Sequence, residues 1–493
     1  MKRLIIAHET RTLARTPALA WLLGLLILGI VFAGWAGHRA NERQVRGAAA
    51  AAGFEEMMRG EMRKSVYAYE NKVKQTGGEM KFAAVNHAPT EGGPPQGVNA
   101  GAVGAETSAY AVLPQTGLSA FSIGQSDLLL NYVPVSMRNI MDITRPLEID
   151  NPVNLVSGTF DPAFLIIFLL PIFILAMTYD LLSSEKERGT LAMILAHPVS
   201  LRALMGSKLA ARARILLAVV LVFGLGVLLA VGNNLGSADT WIRFALWIGA
   251  VLLYSLFWFA LAVLVNVFGR SSASNGIVLA GSWLVLVVVV PTLVSLLATT
   301  LYPAPSRMDL TIAMRDAQTA AEKERMKALD EYYYDHLELV PDAQNKARDF
   351  LTLAMANSAS IEKAVRPLYE QFQAQLNRQE ELVQKFQFAS PAIMMQLSLN
   401  EISGTSADRY EHFMRQVERF HGEWNDFFAA RFLKRQPLTV ADYELFPKFS
   451  YQEEPFATPL SRMAPSLLGL ALLVLLLGWY GFADLRRYQV AAR

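Results

Sequence analysis

The sequence predicts an all-α polytopic membrane protein. It has six transmembrane helices and two large, mainly helical, outward-facing insertions, between spans one and two and between spans five and six. Three observations predict this. Apolar residues make up 53% of the 493 residues and charged residues only 18%, with a mean hydropathy of +0.27, which is more apolar than an ordinary soluble chain. The apolar residues gather in blocks of about twenty, the length a helix needs to cross a hydrocarbon core of ~30 Å. No Lys, Arg, Asp or Glu stands in the middle of a block, and Asp180 lies near an end, in keeping with the cost of a charge at the bilayer centre.

Residues 1–16 set Leu4, Ile5 and Leu13 among Lys2, Arg3, Arg11 and Arg15. That pattern suits a connecting helix along the cytoplasmic membrane surface, or a simple positive anchor. The first span, 17–36, is longer than the apolar core of a signal peptide and runs straight into His38 and Arg39, so an uncleaved span is expected. The first insertion, 37–161, begins as a helical stretch to about Gln75. A Gly/Pro-rich segment follows, Pro89–Gly104 with Gly92, Gly93, Pro94 and Pro95, which reads as a flexible linker. A mixed apolar stretch, Tyr110–Ile149, completes it. Span two is 162–182, and the loop 183–214 leads to spans three (215–235), four (244–268) and five (276–302). The second insertion, 303–462, precedes span six (463–483) and a tail (484–493).

Within the second insertion the clearest helix is Ala407–Leu433. Phe413, Val417, Phe420, Trp424, Phe427, Phe428 and Phe432 recur at three- and four-residue steps, giving one aromatic face. Such a face is expected to pack as a core, the alternative being a contact surface for a substrate or partner.

Basic residues set the orientation. They concentrate in the N-terminal segment, in the 183–214 loop (Lys186, Arg188, Arg202, Lys208, Arg212, Arg214), at Arg270 and in the tail (Arg486, Arg487, Arg493), whereas the Asn233–Thr240 turn has none. By the positive-inside rule both termini are cytoplasmic and both insertions face outward.

Composition removes several functions. A net charge of +2 gives no argument for nucleic acid. The absence of cysteine excludes disulfides, thiol catalysis and Cys-ligated zinc or iron–sulfur clusters. The seven histidines show no metal-ligand spacing; His412 and His421, beside Glu411 and Glu423, read as a solvated face. Paired methionines such as Met57/Met58 and Met394/Met395 read as core filler. No Gly-Lys dipeptide occurs, so the chain has no phosphate-binding loop of the Walker type. No catalytic constellation stands out, so the chain is expected not to be an enzyme and to hold no cofactor or metal.

The informative segment follows span two, from Tyr179 to Ser200 and on to Lys208. A charged turn, Ser183-Ser184-Glu185-Lys186-Glu187-Arg188-Gly189, leads into a short amphipathic helix whose Leu191, Ile194 and Leu195 form an apolar face and which Pro198 ends. Glu185 and Gly189 lie one turn apart, setting a carboxylate beside bare backbone. Such a helix can lie under the membrane and fill a groove on another protein.

The pattern Glu-x-x-x-Gly-Thr-Leu, then Leu, Pro-Val-Ser and Lys, resembles that of ABC-2-type permeases. The likeness is to the subgroup that includes the permease of nitrous-oxide-reductase maturation and larger relatives with big outward loops. Leu118–Leu128, Ser390-Pro391-Ala392, Gly404-Thr405 and Arg409–Phe413 look like signatures of those larger relatives. The resemblance implies that the loop is a coupling helix docking on a separate ATPase through Glu185, Glu187, Arg188, Gly189, Thr190, Leu191 and Leu195, framed by Pro198 and Lys208. ATP and Mg would sit on that partner. It further implies a second permease half, identical or homologous, in the lipid bilayer of a bacterial inner membrane, with a periplasmic acceptor or cargo protein as a further partner. The expected function is ATP-driven transport, as an exporter. The alternative is a mechanotransmission or scaffold subunit that remodels a periplasmic protein without moving a substrate.

Overall fold

The computed structural model describes residues 2–81, 94–124, 126, 129–137, 160–232, 234–269, 271–323, 327, 334 and 350–485. Among the described residues, six helices are long and apolar enough to cross a membrane: Pro17–Thr76, Pro162–Glu187, Leu201–Val231, Ala238–Phe268, Ser272–Leu301 and Ala457–Asp484. The chain is an all-α polytopic membrane protein.

Spans two and four are the centre of the bundle. Their most apolar stretches are 61% buried, against 17–22% for the other four, whose open sides suit lipid. Ile166, Ile167, Leu170 and Ile174 of span two share one core with Trp247, Tyr254, Trp258 and Phe259 of span four.

Two prolines shape the interior. Pro171 follows a wide turn at Leu165–Leu169 in span two, and Pro291 follows another at Leu284–Val289 in span five. Proline has no N–H, so carbonyls one turn upstream lose their helical donor, and a bilayer offers no water in its place. Side chains supply the donors. Tyr254 Oη donates to Ile167 O at 2.9 Å, Trp283 Nε1 to Phe168 O at 3.0 Å, and Ser390 Oγ to Leu286 O at 2.5 Å.

Span one does not stop at the membrane. It is a single helix of 60 residues, Pro17–Thr76, about 90 Å long at ~1.5 Å per residue. Its far half carries the first insertion, including a small antiparallel pair, Ala109–Val112 against Tyr132–Val135. In the second insertion, Arg307–Lys323 packs on Phe350–Lys385 through Met314 and Val365. The chain turns at Gln387–Ala389, continues as Pro391–Ser403, and then forms the aromatic helix Ala407–Leu433. Phe413, Val417, Phe420, Trp424, Phe428 and Phe432 are buried together with Val66, Val103 and Val133 from the first insertion. The two insertions therefore share one core at the same end of the bundle. The 183–200 loop, the helix Lys2–Ala14 and Leu485 lie at the opposite end.

Two placements differ from the sequence reading. Part of the Gly/Pro-rich segment is no linker: Gln96–Val98 and Ala100–Glu106 are helical and largely buried. Gly104 is glycine for closeness, because a Cβ there would stand 2.5 Å from Met137 Sδ and 2.7 Å from Phe428. Likewise, the helix Pro391–Ser403 does not stay with the rest of the second insertion. Ala392, Met394, Met395, Leu399 and Ile402 join the bundle core, and Gly469 of span six leaves room for Phe388 and Met394. At 13 residues this helix is too short to cross. It wedges beside span five at the depth of Leu286 and returns. Ser390 caps its first turn, and Ser466 donates to Gln387 in the turn below it, which satisfies backbone and side chains away from water. The glycines Gly92 and Gly93, the apolar stretch beyond Met137, Arg270 and the basic tail from Arg486 lie outside the described residues.

Candidate functional site

The loop after span two folds as two short helices, Ser183–Glu187 and Thr190–Leu195. Gly189 joins them at φ +71°, a left-handed conformation that favours glycine. No heavy atom lies within 4 Å of where its Cβ would stand. Ser200 closes the loop, its Oγ accepting from Ala203 N at 3.2 Å at the start of span three.

Several residues expected to meet a partner are occupied within the chain. Glu185 accepts from Lys208 Nζ at 2.9 Å and from the Thr190 hydroxyl. Lys208 is itself buried and lies 3.7 Å from Glu9 of the N-terminal helix. Glu187 accepts from Ser272 N at 2.6 Å and Ser272 Oγ at 3.0 Å, at the first turn of span five. Leu191 is 1% exposed, packed among Leu181, Leu182, Leu204, Met205, Val263 and Val267, with Ile194 and Leu195 at its edge. The apolar face that the sequence offered to a groove on another protein thus faces this protein's own bundle. A helix lying against apolar span ends turns its apolar stripe inward, where burying one leucine contributes about 2 kcal/mol.

The exposed residues of the loop are Glu187, Arg188, Gly189, Ala192, Met193, Ala196, His197, Pro198 and Ser200, with Met193 66% exposed. Sequence reasoning did not single out Met193. The signal was available: once Leu191 and Leu195 face inward, 100° per residue puts residues 192, 193 and 196 outside.

The outward signature segments converge at a second place. Thr116 Oγ1 donates to Ser403 O at 2.5 Å, and Ser122 Oγ to Asn400 Oδ1 at 2.7 Å. Gly404, at φ +70°, leaves only 2.3 Å between a would-be Cβ and Thr116 Cγ2. Arg409 is buried, donates to Gly404 O and Pro114 O at 2.9 Å each, and pairs with Glu453 at 2.7–2.8 Å. Burial works against the Glu453 carboxylate, but the Arg409 bonds outweigh it and hold its pKa below the ordinary value. Arg243, at the start of span four, donates to Glu401 O and Ile402 O. This is a joint fixing both insertions to the wedge helix and to span four, in which the polar groups named bond to backbone carbonyls and to one another. Among the described residues no group of three or more His, Asp or Glu could hold a metal ion.

The fold defines a multi-pass helical membrane protein with a large two-part insertion at one end. Residues 307–452 match the model of a family described as a domain of unknown function, DUF3526. That match begins at the first helix after span five and takes in the wedge and aromatic helices. No curated protein matches the chain.

Proposed function

We propose that this chain is the membrane-spanning permease subunit of an ATP-driven ABC-2-type transporter, an exporter coupled to a separate ATPase. It would lie in a bacterial inner membrane as one of two halves, with both termini cytoplasmic and both insertions in the periplasm. The observation that carries this reading is the loop between spans two and three. Its second helix is anchored by Leu191 and, through the Thr190 hydroxyl, by the Glu185–Lys208 pair, and presents a narrow face of Ala192, Met193, Ala196 and His197. An anchored helix with a small open face suits a partner that pushes on it, and the basic residues around it favour the cytoplasmic side. With no Gly-Lys dipeptide in this sequence, an ATP-driven cycle would draw its ATP from another chain.

A second reading draws on the 60-residue helix that runs unbroken from span one into the shared insertion core. A rod of this length transmits motion directly, so the ATPase would move the insertions to remodel a periplasmic protein, with nothing crossing the bilayer.

Affinity purification from native membranes tests the docking reading. An ABC ATPase should co-purify, and Met193→Glu should remove it while the permease stays folded. Absence of an ATPase from the wild-type complex, or full retention with Met193→Glu, contradicts the assignment. Uptake into vesicles carrying the complex, measured against a crosslinked periplasmic partner, separates the two readings.

A further inference from the structure

We propose that Glu187 is a positioning residue that latches the loop after span two onto span five, so that movement of the loop is delivered to span five. This inference rests on the ATPase-docking reading of the loop. By covalent connection alone, the loop can pull only on spans two and three. Glu187 adds a third route. Its two carboxylate oxygens take the backbone N–H and the hydroxyl of Ser272, a residue 85 positions away in sequence. Ser272 is the first helical residue of span five, where N–H groups lack helical acceptors and the helix dipole favours a negative charge.

Neighbouring groups make the latch a joint. Ser183 Oγ lies 2.8 Å from Ser272 Oγ. Asn275, one turn further into span five, donates to Tyr179 O at 3.1 Å and to Asn266 Oδ1 of span four at 3.3 Å. Asn266 in turn donates to Thr178 O of span two at 2.8 Å. The apolar stretch of span five is only 17% buried, so these polar contacts, with the buried Asn275 and Leu279, are what fasten it at this end. Further along, the same span is fastened to Phe168 O through Trp283 and to the wedge helix through Ser390. Val294 and Ala298 pack on Leu382 and Ile393. A shift of span five therefore carries the Gln387–Ser390 turn with it. The route runs from the loop through Glu187 and span five to the wedge helix.

Two variants break the latch without breaking the helix. Glu187→Ala removes the acceptor from an exposed side chain. Ser272→Pro removes both donors at the first helical position, where proline is favoured. Its predecessor Ser271 is already extended at φ −139° and ψ 159°, as a residue before proline must be. Hydrogen–deuterium exchange is measured over residues 273–279 and 190–195 of the complex with its ATPase in nanodiscs, with and without ATP plus vanadate. Both variants should speed exchange at 273–279 by roughly three- to tenfold. They should also abolish its response to nucleotide, while the response at 190–195 persists and the ATPase stays bound. Glu187→Gln, which keeps an acceptor oxygen, should retain part of the response. Unchanged exchange at 273–279 overturns the latch. Faster exchange with the nucleotide response intact reduces Glu187 to a staple of the fold and overturns the positioning role. If the wild-type chain binds no ATPase, the docking reading has failed by itself, and the nucleotide-free exchange still decides whether the latch exists.

Discussion

Single residues in this chain take their roles from what lies around them, and Gly189 shows how. The sequence suggested bare backbone for close contact with another protein, yet the structure gives a conformational reason, φ +71° with open space around the α-carbon. Gly189→Asn should then be tolerated better than Gly189→Val, because asparagine visits the left-handed region and a β-branched residue does not. Far-UV circular dichroism melts and ATPase co-purification would check this; equal behaviour of the two variants would return the glycine to a contact role. Trp424 is 1% exposed and donates to Gly104 O at 3.1 Å. Trp424→Ala should cost ~3–5 kcal/mol, seen as a lower melting temperature and yield.

Glu401 makes a pH prediction. Burial first, and then Asp408 and Glu454, push its pKa up to about 7 against the pull of Ser406 and Arg462. Burial, Asp408 and Glu411 do the same to Glu380. A carboxyl raised in the fold binds its proton more tightly there than in the unfolded chain. Its stabilising effect is complete below the ordinary value of 4.5 and is lost as pH rises through about 7. The melting temperature should therefore fall between about pH 5 and about pH 8, and Glu401→Gln with Glu380→Gln should flatten that fall. A slope unaffected by the double change would place the titration elsewhere.

At the scale of elements, the prolines in spans two and five and their side-chain partners form pairs that can be separated by experiment. Pro171 removes a donor, and Tyr254 supplies one to Ile167 O. Tyr254→Phe alone should leave that carbonyl unpaired in an apolar interior, at a cost of ~1–3 kcal/mol. Pro171→Ala restores an N–H in the same turn, so Tyr254→Phe should cost less in that background. A double-mutant cycle on thermal unfolding in detergent measures the difference. Additivity would mean that Tyr254 acts through packing alone.

The whole molecule is built around one axis, with the insertion core at one end and the loop core at the other. Because the chain has no cysteine, single cysteines at Met193 and at Lys434, both exposed, report topology cleanly. The two should react with an impermeant maleimide from opposite faces of intact inverted and right-side-out vesicles. Labelling of both from one face would break the six-span arrangement.

What the sequence alone determined is what local composition and period can carry. Runs of about twenty apolar residues without charge have few stable homes other than a bilayer, so the six spans were legible. The aromatic stripe of Ala407–Leu433 was legible as a core for a similar reason: large apolar side chains on one helical face have to be covered. Partner choice was not legible. Leu191 could have filled a groove on another protein or on its own bundle, and the periodicity is the same in both cases. Glu187 met Ser272 across 85 residues of sequence, and Gly104 proved to be a point of close approach to Met137 and Phe428 rather than the end of a linker. The wedge helix looked like any short helix of the insertion until Ser390 was seen to reach Leu286 inside span five. Hydrophobic period and turn chemistry are properties of neighbours in the chain, whereas burial, latches and depth belong to neighbours in space, which only the tertiary structure brings together.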